Sequence, residues 1–584
     1  VASSYEKFPR ITVPGDARTW AGVEAWQEVA RGQPRTIVVD TYPGVRLDEL
    51  QTFLADALPG HRVLNVEDLA ARPVREIDEL IAANLTDDRV FGVLSHHTLA
   101  DFYNPEKLAD IATKVSTSDV PVVLMGWGAA LVPLAERTLV LADLARWELQ
   151  QRQRAGAPNW RCDNATEDNL RKYKRSFFVE WRVADRHKRE LFPAMDYVLD
   201  TNNSVSGAKL ITADTFHRGM GAAVSAPFRV VPFFDPGVWG GQWMKDVCGL
   251  DPDAENYAWC FDCVPEENSI LLDVGGDVVE LPALDVVLTQ PTRLLGALTH
   301  ARFGAEFPIR FDFLDTMGGG NLSLQVHPLT EYIQDRFGMH YTQDESYYLL
   351  DCDKDAVVYL GLKTGTDPET MVAALKDASD GGTSFPTEDY VNAFPAKKHD
   401  HFSIPAGTVH CSGANSMVLE ISATPYIFTF KMWDWDRVGL DGRPRPIHVD
   451  HASRNIQWDR NTEWARALLD QVEELGSGPG WSEERTGLHE LEFLEVRRHW
   501  FTGVVQHHTN GTVNVLNLVE GAEAVVESPS GAFAPFPVRY AETFIIPAGV
   551  GAYTIRPSGA GIGQRLGTVK AYVRGTGTRL DFAA

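Results

Sequence analysis

The chain has 584 residues, 44% hydrophobic and 23% charged, an ordinary globular composition long enough for about three or four domains. Its 54 Lys+Arg against 80 Asp+Glu leave a formal charge of -26, a field that repels nucleic acid and anionic membrane. The longest charge-free apolar stretch, residues 120–135, is broken by Pro121, Gly126, Gly128 and Pro133, and it falls short of the ~20 continuous apolar residues of a membrane span. The opening VASSYEKFPR has no apolar core of a secretion signal, so a cytoplasmic location is expected.

From the start to about residue 225, apolar strand-like runs alternate with helical periodicity. RTIVVDTYPGV (35–45) reads as a buried strand ending in a turn, and residues 47–58 read as a helix. VPVVLMGWGAALV (120–132) is a second such strand, and RTLVLADLARWELQQR (137–152) passes from strand into helix. This alternation predicts an α/β layered domain over residues 1–225, with ligand sites beyond the strand ends near Asp40–Gly44 and Gly126–Gly128. Neither turn carries GxxxxGK[ST] or GxGxxG. The domain loosely resembles nucleoside and sugar kinases without their phosphate-binding loop, and no ATP hydrolysis is expected of it. A basic segment, residues 170–191, closes it; its cations either meet an anionic partner or pair with the chain's own acids.

From about 226 the texture changes to short strands with Gly, Pro and Asn/Asp turns, as in ENSILLDVGGDVVEL and HFSIPAGTVHCSGANSMVLEISAT. Such spacing suggests a β-sandwich or jelly roll. Residues 367–393 read as a helical insert and residues 450–484 as helix again, before strands restart at LEFLEVRRHWF. FSIPAGTVH (402–410) and FIIPAGVGA (544–552) share a pattern, which suggests two copies of one barrel, over 226–488 and 489–584. The six cysteines include one CxxC, Cys260 and Cys263, with no second pair or histidine pair at zinc spacing, so reduced packed thiols are expected.

One constellation carries chemistry. Gln325 and His327 lie two apart in the strand-like LSLQVHP, so both project from one face. Glu345 opens the strand ESYYLLD, and His410 follows the tight turn of IPAGTVH. Two imidazoles, a carboxylate and an amide oxygen suit Zn2+, with Mn2+, Fe2+ or Co2+ as alternatives. Spacing alone leaves each histidine a second reading, as a satisfied polar residue of the core.

VWGGQWM (238–244), FPIRFDFLD (307–315), LSLQVHP (322–328), DESYYLLDC (344–352), YLGLKTG (359–365), IPAGTVH (404–410), VLEIS (418–422) and WDWDRVGLDGRPRPIHVDHA (433–452) occur in one order over about 360 residues. In that order they resemble a class I, zinc-dependent, cupin-fold mannose-6-phosphate isomerase, divergent and with an appended N-terminal domain. The resemblance implies two cupin-like β-barrel domains, the metal set Gln325, His327, Glu345 and His410, and aldose–ketose isomerisation of a small sugar. Three cationic positions of that family differ here. Asp312 and Gln343 stand where it usually has lysines, and Lys431 stands where it usually has an arginine. Phosphate recognition favours Arg and Lys, so an altered, non-phosphorylated sugar is expected.

Isomerisation needs a polarised carbonyl and a base that moves a proton between C1 and C2 through a cis-enediol. Lys431 is the expected base, with Glu420 and Asp434 as alternatives. Asp312, Gln343, Arg437 and Trp259 are the expected substrate contacts, although Lys431 could instead pair with Asp312 or Asp434, Arg437 with a surface acid, and Trp259 with the core. His507 and His508 resemble the start of a second metal motif that no later glutamate and histidine complete, so the last barrel is expected to be metal-free. A sugar sensor or scaffold without turnover, or a metal-assisted epimerase or lyase, remain as rival readings. The oligomeric state has no sequence signal.

Overall fold

A computed structural model describes residues 4–575, except 426, 441, 443–444, 470 and 488–491. The chain is multidomain and mixed α/β, and it groups into two compact units. One comprises residues 10–223 with 266–289; the other comprises 1–9, 224–265 and 290–584. Residues 266–289, grouped by sequence with the β-rich part, belong instead to the first unit. The physical reason is pairing: the strand Ser269–Val274 lies parallel to Arg10–Thr12 and antiparallel to Asp277–Pro282. The junction expected at 488/489 lies outside the described residues.

The first unit is built on a seven-stranded sheet. Its order is Trp20–Ala21, Lys209–Thr212, Tyr197–Asp200, Thr138–Asp143, Thr36–Thr41, Val122–Gly126, Arg62–Asn65. The last five are mutually parallel, and the central TIVVDT and VVLMG are buried at every position. Continuous apolar runs of this kind arise because helices cover both faces of a parallel sheet. The basic segment forms helices Asn169–Arg175 and Trp181–Leu191, joined by a wider turn at Ser176–Glu180. Two of its cations turn inward onto acids: Lys188 bonds Asp143 at 2.9 Å and Asp285 at 2.7 Å, and Arg175 bonds Glu180 and Asp78, each at 3.1 Å. Arg171, Arg186 and Arg189 stay exposed.

The second unit holds two antiparallel β regions. In the first, a six-stranded sheet runs in the order His401–Ile404, Glu345–Cys352, Ser416–Ala423, Ile309–Asp315, Trp259–Cys263, Phe233–Asp235. A five-stranded sheet, in the order Val391–Pro395, Val357–Leu362, His410–Ser412, Leu324–Val326, Phe430–Trp433, faces it. The insert is shorter than expected, with helices Pro368–Ser379 and Thr387–Tyr390 leading into the edge strand Val391–Pro395. The helix expected over 450–484 is likewise corrected. Val449–Ser453 and Thr462–Ala467 are helical, but Val472–Gly478 and Trp481–Thr486 form a hairpin around Gly480, whose φ of 81° favours glycine. Cross-strand pairing overrides the helix-favouring glutamates there.

In the second β region, six- and four-stranded sheets enclose an apolar core that includes Phe501, Leu516, Val526, Phe544 and Ile555. No helix among the described residues is long and apolar enough to cross a membrane. Cys260 and Cys263 are free, buried and within one strand rather than at a helix start, a setting for packed thiols.

Candidate metal centre

Local geometry brings the four expected ligands together. The strand Leu324–Val326 pairs with His410–Ser412 so that Gln325 lies opposite His410. The turn before His410 closes tightly: Gly407 has φ 85°, and a Cβ there would lie 2.9 Å from Asn455 O and from Leu329 Cδ2. The amide of Gly407 donates to His327 O at 2.9 Å, which ties this turn to the first histidine's strand. Glu345 comes from the opposite sheet, at the start of Glu345–Cys352.

His327 Nε2 lies 3.0 Å from Glu345 Oε2, and His410 Nε2 lies 2.7 Å from Glu345 Oε1. One ligand atom from each of the three residues fits within 4.8 Å of the others, and all three residues are buried. The other ring nitrogens fix the tautomers. His327 Nδ1 is 3.2 Å from Phe428 O and His410 Nδ1 is 2.8 Å from Thr408 O; a carbonyl only accepts, so each Nδ1 carries the proton. In the neutral rings both Nε2 lone pairs then face a carboxylate, which is repulsive unless a cation lies between. His327 Nε2 and Glu345 Oε1 are buried without a hydrogen bond, as a missing shared partner requires. Gln325 Nε2 is 3.3 Å from His410 Nε2, and half a turn of the amide puts Oε1 at that place. The donor set therefore fits a divalent ion with nitrogen and oxygen ligands.

Around these ligands lies a wall of acids. Asp312 and Glu420 are cross-strand partners on one face, beside Tyr347. Burial pushes the Asp312 carboxyl up to about 7 against the pull of Arg310, and burial also raises Glu420 well above the usual carboxylate range. Gln343 donates to Glu345 Oε2 at 2.7 Å and to Glu420 Oε1 at 3.1 Å. Tyr347 Oη is buried with no hydrogen bond.

Arg310 is the residue that sequence reasoning missed. It precedes Asp312 by two positions, so it shares that face, and its guanidinium bonds Glu420, Ser422 Oγ (3.0 Å) and Asp312 Oδ1 (3.3 Å). The period-2 pattern of IRFD could have revealed it. The charge count around the site is corrected accordingly: a cation has moved to 310, but acids of the wall hold it.

The remaining expected residues divide. Lys431 lies opposite Gln325 in the strand pair, so both side chains project from one face. It pairs with neither Asp312 nor Asp434, and it has no hydrogen-bond or ion-pair partner among the described residues. Burial, reinforced by Arg445, lowers its ammonium pKa to about 7. Arg437, expected at the substrate, instead bonds Asp434 Oδ1 at 2.8 Å, where Ser323 also donates, and Arg445 lies 2.6 Å from Oδ2. Asp434 is thereby occupied as an ion-pair partner. Trp259 projects from the same face as Asp312 and packs on Phe261 and Phe233, with ring centroids 4.8 and 5.8 Å away.

Mannose-6-phosphate isomerase ManA of Bacillus subtilis (strain 168) is 23% identical over 330 residues, 56% of this chain and 95% of that protein. The chain is thus similar to a mannose-6-phosphate isomerase over about half of its length, at low identity. The mannose-6-phosphate isomerase of Streptococcus mutans serotype c (strain ATCC 700610 / UA159) is 26% identical over 219 residues, 37% of this chain and 63% of that one. Among solved structures, the mannose 6-phosphate isomerase from Bacillus subtilis covers 60% of this chain and 100% of its own, at 18% identity and a TM-score of 0.49. Residues 22–225 match a family described as a domain of unknown function (DUF8485).

Proposed function

We propose that the first β region is a cupin-type barrel holding one zinc-class divalent ion, and that it isomerises an aldose to a ketose. The observation that carries this reading is the pair of Nε2 lone pairs aimed at both oxygens of one buried carboxylate. His327, Glu345, His410 and Gln325 would hold the ion, which polarises a substrate carbonyl oxygen. Lys431, beside Gln325 and unpaired, moves the proton between C1 and C2. Glu420 has three donors on Oε1, from Arg310, Gln343 and Ser422, so it serves as a fixed acceptor for a sugar hydroxyl. Trp259 with Phe261 offers an apolar surface to the sugar ring.

The substrate of this reading is a sugar without a 6-phosphate. Arg310, Arg437 and Arg445 are each held by carboxylates, and Asp312 projects an acid where a phosphate would be repelled. The second β region is a metal-free companion barrel, and residues 10–223 form a kinase-like layer without nucleotide hydrolysis.

The test compares kcat/KM for mannose 6-phosphate with that for free mannose and fructose, together with metal content. The neutral sugar is expected to be preferred, and Asp312→Lys with Gln343→Lys is expected to shift preference toward the phosphate ester. Turnover of mannose 6-phosphate at ~10⁴ M⁻¹s⁻¹ or better would overturn the neutral-substrate reading.

A further inference from the structure

The first unit contains a cavity that the isomerase reading does not use. Its sheet order places Thr36–Thr41 between Val122–Gly126 and Thr138–Asp143. The chain leaves Thr36–Thr41 for the far edge at Arg62–Asn65, returns to Val122–Gly126 on the same side, and then crosses to Thr138–Asp143 on the other. The strand order therefore reverses at Thr36–Thr41. In open parallel sheets, ligands bind beyond the carboxyl ends of the strands at such a reversal. A cavity of about 540 Å³ lies there, lined among others by Tyr42, Arg46, Glu67, Trp160 and Arg161.

The walls are chemically specific. Arg152 holds the rim by donating to Gly44 O at 3.0 Å and Thr201 O at 2.6 Å, which fixes the loop after the strand. Arg161 adopts φ 46°, an unusual conformation for a non-glycine residue; its Nη1 donates to Glu67 O at 3.3 Å and lies 3.5 Å from Asp68, while its Nε is buried without an acceptor. The buried Trp160 indole N–H faces the Glu67 carboxyl and holds it down against burial. Arg46 stands exposed at the start of helix Leu47–Ala57, in a loose surface pair with Glu49 at 3.9 Å, and Asp48 beside it faces solvent. Across the cavity, Glu67 is 5% exposed, with one carboxyl oxygen accepting from Trp127 N at 2.8 Å. Gly126 makes room for it, since a Cβ there would lie 2.9 Å from Glu67 Cγ. Burial pushes the Glu67 carboxyl up to about 7, so near neutral pH it can either donate to or accept from a hydroxyl.

We propose that this cavity binds a phosphorylated, hydroxyl-bearing small molecule, with its phosphate toward Arg161 and Arg46 and a hydroxyl against Glu67. Planar guanidinium groups suit phosphate oxygens, and the Arg161 Nε–H still lacks an acceptor. The acidic wall suits the opposite, neutral end. The site binds without transferring phosphate, because the chain has no phosphate-activating loop.

Calorimetry on the full chain tests this with ribose 5-phosphate as probe and free ribose as the neutral control. The His327→Ala variant serves as background, so that loss of the isomerase site leaves this measurement intact. The phosphate ester is expected to bind and free ribose not to bind. Arg161→Ala should weaken the ester at least tenfold with an unchanged melting temperature, and Arg161→Lys should recover part of the loss. Glu67→Gln should weaken the ester less; should that variant fail to fold, the partly exposed Arg161 still carries the test. No binding of ribose 5-phosphate, equal binding of free ribose, or binding indifferent to Arg161→Ala overturns the proposal.

Discussion

The two β regions of the second unit share an FxIPAG turn yet fill their interiors differently. In the first, the turn delivers His410 opposite Gln325, and two sheets direct imidazole, amide and carboxylate at one point. In the second, the same turn delivers Ala552, whose cross-strand partner is His508, and the interior is largely apolar. QVHP and QHHT look alike, but His507 is buried while Gln506 and His508 are exposed. Side-chain facing alternates residue by residue along a strand, so a one-residue difference in where the histidine falls sends it to the other surface. The inward His507 stacks on Tyr553 and meets His499 at a ring-centroid distance of 4.5 Å, instead of completing a ligand set. A shared turn motif therefore conserves the scaffold without conserving the chemistry.

The sharpest break of this contrast is His327→Ala. It is expected to take the bound divalent ion from one per chain to none and isomerase activity below detection, with the second region's core unaffected. Elemental analysis and near-UV circular dichroism check the two halves. Next, Lys431→Ala should lower kcat by ~10²–10⁴-fold while the metal stays, the range for removal of a positioned acid–base group. A drop in metal content in that variant would show that Lys431 supports the ligands rather than the proton transfer.

Arg310→Leu probes the acid wall. It leaves Asp312 and Glu420 buried without their guanidinium, which should destabilise the protein by about 3–5 kcal/mol. Adding Asp312→Lys returns a cation to that face and should recover most of the loss in chemical denaturation.

The smallest effect belongs to the second region. Burial lowers the His499 pKa to about 4, against about 6.5 in the unfolded chain. Between these values the unfolded state binds the proton and the native state does not, so stability rises with pH across this window and is lost as pH falls. The loss is about 3 kcal/mol at most, and His499→Phe should flatten it in urea titrations at pH 4 and pH 7.

The sequence by itself pointed to the buried strands of the first unit and to a candidate ligand set. Apolar runs such as TIVVDT read as buried strands of a covered sheet, whereas Gln325, His327, Glu345 and His410 stood together through a family resemblance, with spacing alone leaving each histidine a place in the core. Elements held by cross-strand partners were not legible: residues 472–486 look helical until they pair, and 266–289 join a strand more than two hundred residues away. The site's electrostatics were also a tertiary decision. Arg310 lies two residues from Asp312 in sequence, but its hold on Glu420 and Ser422 depends on the register of Ile309–Asp315 with Ser416–Ala423. Among the described residues the Lys431 side chain is likewise unpaired, while Arg437 and Arg445 reach Asp434. Local pattern fixes which face a side chain takes; only packing decides which charge it meets there, because ion pairs form across strands that sequence distance does not order.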